Sequence, residues 1–282
     1  MGQFLHLLTN SGIGLPTDLW VPATEKIKPQ FSDQIAAGYA RTFNDKIEVS
    51  LEGYYKTMDN LIEYKDGASF FDSQTDWQDK VHVGRGWSYG GELLIEKKMG
   101  KTTGWIGYTL SWTNRQFDSI NFGQSYPYRY DRRHDIGIAI THEINDRINF
   151  GIVWVYGTGN AVTLGLESYS SFNSSLVNDI SNFNLNPSPF GYNQDNVNVS
   201  TVNHIESRNN YRMPAYHRLD VSINMKKEKK WGERTWSFGL YNAYSRQNPF
   251  YLQFTRNENG DPQLSQFSLF PLIPSFTYSF KF

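Results

Sequence analysis

Apolar and polar residues alternate along this chain with a period of two, the signature of strands that show one face to an apolar medium and the other to a polar one. Ile47, Val49, Leu51, Gly53 and Tyr55 fall on one side of an extended segment, and Glu48, Ser50, Glu52, Tyr54 and Lys56 on the other. The pattern recurs with Trp87, Tyr89, Gly91, Leu93 and Ile95, with Ile106, Tyr108, Leu110 and Trp112, and with Ile136, Ile138 and Ile140. It continues through Ile148, Phe150, Ile152, Trp154 and Tyr156, then Leu219, Val221, Ile223 and Met225, then Trp236, Phe238 and Leu240. A first strand covers residues 30–43, and the chain closes on Phe276, Tyr278, Phe280 and Phe282 alternating with Thr277, Ser279 and Lys281. This predicts about nine antiparallel strands of roughly 10–13 residues, the length of a tilted strand across a bilayer.

The connections alternate as well. Those at 44–46, 99–103, 145–147 and 227–234 are short; those at 59–86, 116–132, 158–213 and 249–267 are long and polar. Counting back from the last strand puts every short turn at one end, the asymmetry of an outer-membrane barrel with short periplasmic turns and long extracellular loops. The expected fold is therefore all-β, an antiparallel transmembrane β-barrel portion.

The inward face carries Glu48, Glu52, Glu92, Glu96, Asp135, Glu143, Arg218 and Asp220. A dry core would need a partner for each charge, whereas a wet or plugged lumen does not. Aromatic residues form two expected girdles: Trp87, Tyr89, Trp112, Trp154 and Tyr216 on the loop side, Trp105, Trp236, Tyr278 and Phe280 on the turn side. With 18 Tyr, 19 Phe and 8 Trp, the composition favours strands and interfaces over helices. No apolar stretch is long enough for a membrane helix, and the amino terminus has neither the basic start nor the apolar core of an export signal. A barrel without that signal is expected to be the end of a longer protein. The net charge of -1 gives no reason to expect nucleic acid, and the absence of Cys removes disulfides and thiolate metal sites.

Candidate chemistry is sparse. There is no Gly-x-Ser-x-Gly elbow, and Gly157-Thr158-Gly159-Asn160 reads as a strand-exit turn. His134 with Asp135, and His217 with Asp220, are the pairs a rim protease would use. Adjacent strand residues point to opposite faces, however, and Asp131, Arg132, Arg133 and Asp135 read as rim salt bridges. His82, His204 and His217 lie in or near long loops, without the spacing of a metal site. No catalytic residue, metal or cofactor is expected. Ligand capture falls to the loops, through Trp77 beside Asp72, Asp76 and Asp79, and through Tyr169, Phe190, Tyr192 and Tyr211 among Asn and Ser.

Several stretches resemble one family. They are residues 10–22, ending Leu15-Pro16-Thr17-Asp18-Leu19-Trp20-Val21-Pro22; Pro29-Gln30; Tyr128-Arg129-Tyr130-Asp131-Arg132-Arg133-His134-Asp135; and Tyr156-Gly157-Thr158-Gly159-Asn160. Met213-Pro214-Ala215-Tyr216-His217-Arg218-Leu219-Asp220, Tyr241-Asn242-Ala243-Tyr244 and residues 274–282 complete the set. Together, across residues 1–282, they look like the carboxyl-terminal half of a TonB-dependent outer-membrane receptor of the Bacteroidetes type. The resemblance implies a barrel of about 22 strands blocked by a plug, located in the cell outer membrane and surrounded by its lipid. It implies import of a scarce nutrient (a siderophore, glycan or peptide-like ligand) using energy delivered by the TonB complex through the plug. The plug and the first strands would lie outside this chain, with Glu92, Arg218 and Asp220 on the plug-facing lumen wall. Phe276, Tyr278, Phe280 and Phe282 would engage the barrel-assembly machinery. A small passive pore and a rim-protease barrel are the alternatives.

Overall fold

The computed structural model describes residues 1–9, 12, 17–66, 68, 76–165, 167–172, 199–259 and 262–282. Nine long strands carry the architecture: β1 (Gln30–Phe43), β2 (Ile47–Tyr64), β3 (Val81–Lys97), β4 (Thr102–Gln116), β5 (His134–Asn145), β6 (Ile148–Gly157), β7 (Tyr216–Lys229), β8 (Gly232–Tyr241) and β9 (Ile273–Lys281). Each pairs antiparallel with the next, so the sheet is an unbroken meander. Two-residue strands, Gly2–Gln3 against β1 and Tyr126–Pro127 against β4, complete it. The short turns suit this order. Asn44 and Asp45 between β1 and β2 both take positive φ, 50° and 53°, the twist that joins neighbouring strands without splaying them.

Register sorts the side chains. Val49, Ile95, Ile106, Ile138, Trp154 and Leu219 stand opposite one another across six successive strands. Phe150, Ile223, Phe238 and Phe276 form a second apolar row towards the end of the sheet. The other face carries rows such as Glu52, Glu92, Thr109 and Asp135, and Asn149, Asn224, Ser237 and Thr277. Among the described residues nothing packs over the apolar face. Ile35 is 73% exposed, Leu51 60% and Phe276 54%. The described residues hold two 3₁₀ turns, Trp77–Lys80 and Asn121–Gly123, and no α-helix that could cover it. A single-layer sheet with one continuous apolar face left open is the wall of a bilayer-spanning barrel, not half of a soluble sandwich.

Two aromatic assignments change. Trp105 and Tyr216 sit on the polar face, not in the girdles. Trp105 stands opposite Glu96 and Ala139, and its ring lies so flat across Gly137 that a Cβ there would come within 2.8 Å. Tyr216 stands opposite Gly157, on the face of Arg218. Position near a strand end did not decide the face; parity with Ile106 and Leu219 does.

The expected loop 59–86 is strand at both its ends, over residues 59–64 and 81–86. β2 runs 18 residues and β3 17, which at ~3.3 Å per residue lets β2 reach ~59 Å, about twice the hydrocarbon thickness. A bulge between Met58 and Leu61, with Asn60 at φ 57°, hides the continuation because it shifts the alternation by a residue. Beyond it Leu61, Ile62, Glu63 and Tyr64 are all buried. The first hairpin packs on Ile62 and Tyr64, and the connection after β4 packs on Leu61; the loop side also holds hairpins of its own. Leu5–Thr9 pairs with Asp18–Pro22, Ala161–Val162 with Tyr211–Arg212, Glu167–Phe172 with Val199–His204, and Pro249–Arg256 with Pro262–Ser268. The buried apolar clusters lie here: Leu8, Val21, Ile27, Ile62, Tyr64 and Val81; Leu61, Phe117, Ile120 and Tyr126; and Val162, Met213 and Leu252.

Ile223→Arg, facing the apolar side, is expected to cost about 2–4 kcal/mol, while Ser222→Arg on the other face is tolerated; protease-resistant protein in outer-membrane fractions measures both. Equal yields would contradict the assigned faces. His6 in the first hairpin is fully buried, with Gln30 Nε2 3.0 Å from its Nδ1, and burial holds its pKa below the ordinary 6.5. Protonation therefore opposes folding: the hairpin keeps its full stability above pH 6.5 and loses it as pH falls beneath that value. An NMR titration of His6 with a midpoint at or above 6.5 would contradict this.

Candidate functional site

The loop side is tied together by two buried carboxylates. Glu63, at the top of β2, is 2% exposed and accepts from Arg115 Nη1 at 3.2 Å and Arg208 Nη2 at 3.0 Å. Arg208 also reaches Asp66 at 2.8 Å, and its backbone N–H donates to Asn121 Oδ1 at 2.8 Å. Arg115 lies over the Tyr128 ring, 3.6 Å from its centroid. One acid thus joins β2, β4 and the segment after Val199–His204, Glu63 and Arg208 lying 145 residues apart in sequence. Burial and the Glu63 charge together push the Tyr126 phenol well above its ordinary pKa. Asp131 forms the second knot, accepting from Arg212 at 2.6 Å, Arg133 at 3.2 Å and the backbone N–H of Thr113 at 2.7 Å. These guanidinium-carboxylate bonds fix the relative positions of loops that share no strand pairing.

Between them the loops wall a cavity of about 800 Å³. Its lining includes Tyr64 and Asp66 above β2, Asp118 and Phe122 after β4, Glu206 from the long connection, and Phe254 from the hairpin before β9. Six separated stretches converge on one concavity with aromatic and charged walls, the size and make-up of a small-ligand pocket.

The residues expected from sequence fall in several places. Trp77 packs against the cluster around Ile62 and Tyr64, and Tyr211 against Val162, Met213 and Leu252. Tyr169 lies in the Glu167–Phe172 strand, while Phe190 and Tyr192 lie outside the described residues. Glu92 lies on the polar face of the sheet, directly opposite Glu52. Arg218 and Asp220 share that face but satisfy each other at 2.9 Å, with Tyr216 and Tyr241 hydroxyls 3.1 and 2.8 Å from Arg218 Nη1. Asp131 and Arg133, and Arg132 and Asp135, form the rim pairs expected.

The suspected His-Asp pairs are apart. His134 Nδ1 meets the Tyr108 hydroxyl at 2.8 Å and His217 Nδ1 that of Tyr244 at 2.7 Å, while Asp220 accepts from the Asn242 backbone at 2.9 Å. Among the described residues no group of histidines and acids is arranged to hold a metal. Sequence reasoning missed Glu63, Arg115, Arg208 and Phe122. A charged residue inside the out-of-step apolar run Leu61 to Tyr64 was the one local clue.

No protein-family model and no curated protein matches the chain. Among solved structures, the fold is similar to the ferripyoverdine receptor of the outer membrane of Pseudomonas aeruginosa, with a TM-score of 0.50 and 12% identity over 89% of this chain. The ferric-catecholate import receptor Fiu of E. coli K12 gives 0.49, 12% and 91%, and the ferric citrate transporter FecA 0.46, 9% and 89%. This chain covers 27%, 29% and 31% of those three chains. The likeness to the first shows that this chain has the fold of an outer-membrane receptor wall.

Glu63→Gln would leave the buried Arg115 without a carboxylate and Arg208 with Asp66 alone, at a cost of about 3–5 kcal/mol to the loop-side assembly. Limited proteolysis should then cut near residues 205–208 faster than in the parent; an unchanged rate would deny Glu63 its tying role.

Proposed function

We propose that this chain is the carboxyl-terminal wall portion of a TonB-dependent outer-membrane receptor, which imports a scarce nutrient captured at the loop side. The observation that carries the reading is the two-faced single-layer sheet, apolar outside and charged inside, with its buried core gathered above one end. Beyond its contact with Gly2–Gln3, β1 has no neighbour on its outer edge among the described residues, and neither has β9. Unpaired strand edges are not tolerated in hydrocarbon, so further strands of the same receptor would complete the ladder. Lipid would cover the apolar rows. The terminal aromatic face of Phe276, Tyr278, Phe280 and Phe282 would be read by the barrel-assembly machinery.

The plug would fill the lumen, carrying the TonB contact. Two opposed acid pairs on the inner wall differ in a telling way. Glu48 and Glu96 share Lys98, at 2.8 and 3.3 Å. Glu52 and Glu92 also stand opposite one another, yet no ion pair neutralises them among the described residues. Like charges directly across a ladder repel, so a plug cation is the partner this reading supplies. Arg218 and Asp220, already paired, would contribute polar surface rather than net charge. In the loops, Tyr169, Phe190 and Tyr192 would contact ligand, with Trp77 and Tyr211 bracing them from within. The ligand class lies among siderophores, glycans and peptide-like molecules.

Replacing Glu52 and Glu92 together by Ala in the intact receptor should loosen the plug, raising cell entry of a large antibiotic such as vancomycin several-fold. No rise would remove these acids from plug docking. Import that persists after TonB is removed would overturn the receptor reading itself.

A further inference from the structure

The loop-side cavity holds a residue that hydrophobic collapse does not explain. Phe122 is 92% exposed, although Phe117 and Ile120, on the same connection, are completely buried. Its backbone is held in the left-handed region, φ 55°, between Asn121 at 54° and Gly123 at 75°. Three bonds fix that turn: Gln116 Nε2 donates to the Gly123 carbonyl at 2.8 Å, Asn121 Nδ2 to the Gln124 carbonyl at 3.2 Å, and the Arg208 N–H to Asn121 Oδ1 at 2.8 Å. The ring is therefore presented, not left over. It lines the cavity with Phe254 and Tyr64.

The charge on the lining is lopsided. Arg208 is committed to Glu63 and Asp66. Lys65 is the other cation there, so the three lining carboxylates, Asp66, Asp118 and Glu206, outnumber the two lining cations. Asp118 and Glu206 line the same space and form no ion pair among the described residues. Exposed aromatic faces and uncompensated carboxylates share one chemical preference, for a flat cation. Its ring can lie on Phe122 while its positive group is drawn to the acids.

We infer that this cavity binds a small, planar, positively charged ligand, stacked on Phe122 and neutralised by Asp118 and Glu206. The inference deepens the import reading by giving the captured molecule a chemistry, and it rests on that reading only for the transport step after capture. Anions are disfavoured here, and neutral rings have only the stacking.

The test uses the intact outer-membrane protein in detergent, with benzamidine as probe and benzoate as its anionic counterpart, by calorimetry. Benzamidine should bind, and benzoate at least tenfold more weakly. Phe122→Ala should weaken benzamidine about three- to thirtyfold, and its exposure makes it safe for folding. The Asp118→Asn, Glu206→Gln double variant should lose the preference for benzamidine over benzoate, and added salt should weaken binding to the parent. Equal binding by the parent and Phe122→Ala, or equal affinity of the parent for both probes, overturns the inference. Absence of benzamidine binding in a receptor whose TonB-driven import is intact overturns it while leaving the import reading standing. Binding as described in a protein that imports nothing overturns only the latter.

Discussion

Register is the constraint on which this molecule depends. A strand turns alternate side chains to opposite faces, so a one-residue slip anywhere in the meander would turn charged rows to lipid and apolar rows to the lumen. Six strands agree on a single row from Val49 to Leu219 because the turns joining them set the pairing. The one break in β2, the bulge between Met58 and Leu61, comes where the chain needs it. Below it the strand meets apolar surroundings on one side and polar on the other. Above it, loop elements cover both faces, and Leu61 to Tyr64 are buried regardless of parity.

Much of this was legible in the residues. The alternating runs located all nine long strands, and turn lengths gave the end at which each connection lies. What escaped had physical reasons. The bulge at Asn60 broke the period just where β2 continues, so its top read as loop. The hairpin strands within 158–213 are short, and nothing local distinguishes Ala161–Val162 from coil before it meets Tyr211–Arg212, while the Pro249–Arg256 strand, with Phe250, Leu252 and Phe254 in alternation, was passed over as loop. Trp105 and Tyr216 were read by position rather than parity. The Glu63 knot was invisible because its partners come from far along the chain.

The cavity shows why such knots matter. Glu206 and Phe254 reach it from outside the main sheet, so the sheet's strand pairing alone leaves their spacing free. Glu63 and Asp131, each held by two guanidinium groups, set that spacing. Buried ion pairs contribute little net stability compared with apolar packing. Their directional bonds do specify one arrangement of loops over others, which a pocket requires and a hydrophobic cluster does not enforce.

The placement of Phe254 has a kinetic corollary. It belongs to the last hairpin, between β8 and β9, yet it faces Tyr64 and Asp66 at the head of β2 across the same concavity. Contacts of such long sequence separation carry the largest loop-closure entropy and form late in folding. The chamber is thus finished only when the final hairpin arrives. Chains stalled part-way through membrane assembly would lack that wall, and binding of the proposed ligand would then report completed folding.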